Sequence, residues 1–94
     1  MSASEEPRKR KLVIERFGVV LHNDDVNTME HVVQALIDTF LCSPEQALRT
    51  MFYAHRHGSA ICAVELLEPA EFHYHRLCRH GLNASLELVE SREG

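Results

Sequence analysis

The sequence predicts a small α/β (α+β) sandwich in the order β-α-α-β-α-β, a three-stranded sheet with helices packed on one face. Three observations carry this. Val- and Ile-rich stretches alternate with segments whose apolar residues recur at i, i+3 and i+4. Helix-start residues stand at Asn27 and Ser43, and glycines follow the second and third helical stretches. The length, 94 residues, suits one domain.

Residues 1–11 read as a flexible tail, 12–90 as the core domain and 91–94 as a frayed end. Leu12 to Leu21, rich in Val and Ile, is the first strand. His22 to Asn27 is a polar loop. Thr28 to Phe40 is a helix, with Met29, Val32, Val33, Leu36, Ile37 and Phe40 forming one apolar stripe. Asn27 is its expected N-cap, with Glu30 completing a capping box. Ser43-Pro44-Glu45-Gln46 opens a second helix with a cap, a proline at the first helical position and a capping-box Gln. That helix runs to about His57, and Gly58 suits its left-handed C′ position. Ser59 to Leu66 is the second strand. Pro69 opens a third helix that ends before Gly81. Leu82 or Asn83 to Glu90 is the third strand.

Composition excludes several classes. Hydrophobic residues make up 45% of the chain, too many for wholesale disorder. No apolar run is long enough to span a bilayer, and the first residues lack a signal peptide's apolar core. A cytoplasmic protein without membrane contact is expected. The net charge is −4. The basic cluster Pro7-Arg8-Lys9-Arg10-Lys11 lies in the tail, not across a face, so no nucleic-acid partner is expected. Cys42, Cys62 and Cys78 form no CxxC pair and read as small buried hydrophobes.

His22-Asn23-Asp24-Asp25 is the first group that could carry chemistry. Two adjacent carboxylates in a loop can bind a metal, act as acid and base, or pair with a cation. They can equally form an Asx-rich turn leading into the helix, and on these residues alone the turn is the stronger reading. Met51, Ala54 and His55 share one face of the second helix; core packing or an adaptable pocket would use them equally well. The chain holds seven histidines. His55 and His57 are two apart, as are His73 and His75, so neither pair shares a helix face. Neither a metal site nor any other cofactor is expected.

Together these residues resemble the ClpS family of adaptors, which feed N-degron substrates to a Clp AAA+ unfoldase. The resemblance rests on Val20-Leu21-His22-Asn23-Asp24-Asp25 followed by Met29-Glu30 and Val32-Val33. It continues at Met51, His55, Gly58 and Ala60-Ile61-Cys62, and more weakly at Leu82 and Ser85-Leu86-Glu87. It implies a binding protein, not an enzyme, and a monomer. It implies that Asn23, Asp24 and His55, with Asp25 adjoining, hold the substrate's free α-amino group. Asn27, Met29, Val32, Met51, Ala54 and Leu82 would wall a pocket for an N-terminal Leu, Phe, Tyr or Trp. Glu68 and Glu71 would touch the N-domain of the unfoldase.

The chain departs from the family pattern in three places. Val26-Asn27-Thr28 replaces a common Tyr-Thr-Pro. Ala54 replaces a larger branched residue, so larger aromatics should be tolerated. The stretch between Cys62 and Leu82 is shorter than usual, so a short third helix is expected. Two other readings remain open at this point: a small metal-dependent hydrolase using Asp24, Asp25 and His55, and a structural paralogue that binds nothing.

Overall fold

The computed structural model describes residues 12–93; the expected tail and Gly94 lie outside them. The elements are β1 (Val13–His22), α1 (Met29–Phe40), α2 (Pro44–His57), β2 (Ser59–Glu65), α3 (Leu67–Arg79) and β3 (Ala84–Glu93). β1 is the middle strand, antiparallel to both neighbours, in the order β2-β1-β3. Alternation along β1 sends Phe17, Val19 and Leu21 into the core with Ala35, Leu36, Ala47, Met51, Ala54, Ala60, Leu77 and Leu82. α2 and α3 pack on the sheet, and α1 packs chiefly against those two helices.

The bends in the sheet come from two bulges. Val19 pairs with Ala63 but Val20 with Ile61, leaving Cys62 as an extra residue on β2. Arg16 pairs with Glu90 but Phe17 with Leu88, leaving Val89 extra on β3. The first bulge keeps Ala60 opposite Leu21 on the core side, just before the cavity described below.

Helix ends differ from expectation at two points. Thr28, not Asn27, caps α1: its side chain accepts the His31 backbone N–H at 3.1 Å. Asn27 is drawn away because its side chain is held by two acceptors elsewhere. α3 starts at Leu67 rather than Pro69 and spans 13 residues, against 12 in α1, so the third helix is not short. Proline at its third position is harmless, because that N–H has no helical acceptor anyway. The Ser43 cap and the Gly58 terminus of α2 follow expectation, but the Gln46 side chain makes no capping-box bond among the described residues. Ser43 accepts the Gln46 N–H, and Gly58 takes a left-handed conformation at φ 95°.

β3 runs through Glu93, past the expected end at Glu90, because Glu15, Ile14 and Val13 continue to pair with Ser91, Arg92 and Glu93. The cysteines also divide. Cys42 and Cys62 are half-buried, but Cys78 is exposed on α3, so its expected place in the core is corrected.

Candidate functional site

The site forms where β1 ends. Two backbone bonds pin that end: the His22 N–H donates to the Asn83 carbonyl at 2.8 Å, and the Asn23 N–H to the Gly58 carbonyl at 2.9 Å. The first ties the loop to the α3–β3 turn, the second to the α2–β2 turn. Gly58 matters because its positive φ aims that carbonyl, and an L side chain there is strained even in open space.

Asp24 organises the next turn. Its Oδ1 accepts the Val26 and Asn27 backbone N–H groups, each at 2.9 Å, and its Oδ2 accepts the Asn27 side-chain amide at 3.0 Å. The Asn27 N–H is the main cause that holds the Asp24 carboxyl below its ordinary value; slight burial opposes this, and the other two donors add to it. The expected Asx turn is therefore present. A carboxylate offers about four acceptor positions, so Asp24 retains capacity for another donor on Oδ2.

The neighbouring polar groups are differently placed. Among the described residues, the Asn23 side chain, the Asp25 carboxylate and the His55 ring make no hydrogen bond or ion pair. His22 is engaged, since its Nε2 lies 2.7 Å from Ser85 Oγ.

These groups rim a cavity of about 220 Å³. It is larger than the roughly 150 Å³ cavity known to hold benzene. Leu21, His22, Asn23, Asp24, Asp25, Asn27, Met29, Val32, Met51, Phe52, Ala54, His55 and Leu82 line it. α1 supplies Met29 and Val32, α2 supplies Met51, Phe52, Ala54 and His55, and the α3–β3 turn supplies Leu82. Met51, Ala54 and Leu82 are buried, whereas Met29 and Phe52 stand more than half exposed. All ten residues expected around an amine and its side chain thus share one cavity. Leu21, His22 and Phe52 were not among them. Phe52 had a legible signal, since it precedes His55 by three and borders the same helix face.

Glu68 and Glu71 lie away from this cavity, exposed near the start of α3. Leu66, Leu67 and Phe72 around them are about half exposed. Among the described residues, no three His, Cys, Asp or Glu side chains are grouped to hold a metal ion. No described helix is long and apolar enough to cross a membrane.

A family model for the ATP-dependent Clp protease adaptor protein ClpS matches residues 14–85. The chain is 44% identical over 85 residues to the ATP-dependent Clp protease adapter protein ClpS of Synechococcus elongatus, covering 88% of this chain and 87% of that one. It is 44% identical to the protein of the same description from a Synechococcus species over 80 residues, 83% of this chain and 86% of that one. The solved structure of Agrobacterium tumefaciens ClpS2 bound to L-phenylalaninamide matches with a TM-score of 0.74 at 28% identity, covering 80% of this chain and 98% of that one. A shared fold, a match over most of the length and this degree of identity have one reading: the chain belongs to the ClpS family of Clp protease adaptors.

Proposed function

We propose that this protein reads the N-terminus of proteins marked for degradation, holding a free α-amine and a bulky hydrophobic first side chain, and passes them to a Clp AAA+ unfoldase. The observation that carries this reading is the pairing of an apolar cavity with free polar groups at its rim. An ammonium presents three hydrogens. Asn23 Oδ1, Asp24 Oδ2 and a neutral His55 nitrogen supply three acceptors, and Asp25 adds negative charge nearby. An internal peptide bond has no such amine, so the rim selects a terminus. The walls then take Leu, Phe, Tyr or Trp, and burying one such side chain is worth roughly 1.5–3 kcal/mol. The ligand of the Agrobacterium relative, L-phenylalaninamide, combines these same two features.

No catalytic step is needed for this role. The exposed surface of Glu68, Glu71, Leu66, Leu67 and Phe72 combines acid and apolar groups and is our candidate for the unfoldase N-domain contact. We place the protein in the cytoplasm, acting as a monomer. The test is fluorescence anisotropy with a Leu-initiated peptide and its N-acetylated twin. The free amine should bind and the acetylated peptide should lose most affinity; equal binding defeats the proposal.

A further inference from the structure

Asn27 is a polar side chain among the residues that line the cavity with the apolar wall. Its Nδ2 donates to Asp24 Oδ2 at 3.0 Å and to the Gly81 carbonyl at 3.1 Å. A carboxylate oxygen and a backbone carbonyl can only accept, so the amide orientation is determined: the nitrogen must face both. Both amide hydrogens are thereby engaged. Oδ1, with two lone pairs, has no protein partner among the described residues. The half-buried Asn27 side chain lines the cavity beside Met29, Val32, Met51, Ala54 and Leu82.

A first side chain filling this cavity would cut Asn27 Oδ1 off from solvent. Leu or Phe leaves that acceptor without a donor, which is unfavourable for a desolvated polar atom. A phenol O–H or an indole N–H can replace the lost water. The small wall at Ala54, buried against the core, leaves room for the larger rings. We infer that Asn27 Oδ1 is a specificity-determining acceptor that favours first residues carrying an aromatic ring with a hydrogen-bond donor, Tyr or Trp, over rings without one. This rests on the amine-reading function proposed above.

The test uses the full chain and peptides identical after their first residue, beginning with Phe, Tyr, Trp or 1-methyl-Trp, titrated by anisotropy. A preference of about three- to tenfold is expected for Tyr over Phe or for Trp over its methylated twin, the range of one net hydrogen bond. Asn27→Leu and Asn27→Ala should weaken every peptide by releasing Asp24 and Gly81, yet bring that ratio to about one. Comparing ratios between variants removes the effect of ring size. A wild-type ratio of one or below in both pairs overturns the inference without any variant, and an unchanged ratio in the variants overturns it too. An N-acetylated Tyr peptide run alongside tells the two failures apart. If it binds as well as the free amine, the amine reading fails; if it does not and the ratios are flat, only the role of Asn27 fails.

Discussion

Two of the hollows among the described residues are chemically unlike. The cavity at the end of β1 encloses about 220 Å³, and a second cleft, bounded by Leu36, Phe40, Cys42, Cys62, Glu65 and His73 among others, about 390 Å³. In the larger one the carboxylate and the imidazole that line it answer each other, while the Gln46 and Thr50 side chains have no partner among the described residues. His73 Nδ1 lies 2.8 Å from Glu65 Oε1, and the His73 ring packs on Phe40 with centroids 4.9 Å apart. Burial, the main cause, pushes the Cys62 thiol up to about 12, so it is no nucleophile at neutral pH. In the smaller one Asn23, Asp25, His55 and one oxygen of Asn27 face no protein partner. Size therefore does not mark the candidate site here; an unpartnered carboxylate, amide and imidazole gathered at the rim of an apolar wall do.

Mutation can break this comparison in a graded way. The largest effect should come from Asp24→Ala. Losing a charge-assisted contact of about 1.5–3 kcal/mol should weaken a Leu-initiated peptide by tenfold or more, with the far-ultraviolet circular dichroism unchanged. Normal binding by this variant would remove Asp24 from the amine grip. Acid should mimic the substitution. Because the folded state lowers the Asp24 pKa from 3.8, its contribution to stability is complete above that value. It is lost as pH falls through the lower folded pKa. Thermal melts of wild type and Asp24→Asn should converge along that acid limb. At the other limit, peptide affinity should decline above about pH 8 as the α-amine deprotonates.

A smaller, selective effect is expected from Ala54→Leu. Its added bulk narrows the pocket, so peptides beginning with Trp or Phe should lose several times more affinity than one beginning with Leu. Uniform loss across the three would show that Ala54 does not set pocket size. The smallest effect belongs to the other cleft. Glu65→Gln exchanges a half-buried hydrogen bond between His73 and a carboxylate for one to a neutral amide. It should destabilise the fold by about 1 kcal/mol or less and leave peptide affinity alone. A change in affinity would mean that the two hollows are coupled.

Local pattern accounts for much of what was legible beforehand. The alternation of Phe17, Val19 and Leu21, the apolar stripe of α1 and the Ser43–Gly58 frame of α2 are set by neighbours in the chain, so element order and type could be read directly. The residues proposed for the site could be read only in combination, because His22-Asn23-Asp24-Asp25 by itself is an ordinary turn, and Asp24 does form one. Misreadings fell where a distant partner outbid a near one. Asn27 is as good a cap as Thr28 in isolation, but Asp24 and the Gly81 carbonyl hold its amide, so Thr28 caps the helix. His22 is at once the last residue of a strand and a lining residue, with its ring fixed by Ser85, 63 positions away.

The sequence by itself determined the three strands, the three helices and the residue types that could hold an amine, since these depend on periodicity, capping and side-chain chemistry within a few positions. Only the tertiary structure decided that β1 lies between β2 and β3, that Phe52 joins the rim, and which polar atoms remain free. Those outcomes depend on groups far apart in the chain meeting in space, and a hydrogen bond made there removes a donor or acceptor that local sequence shows as available.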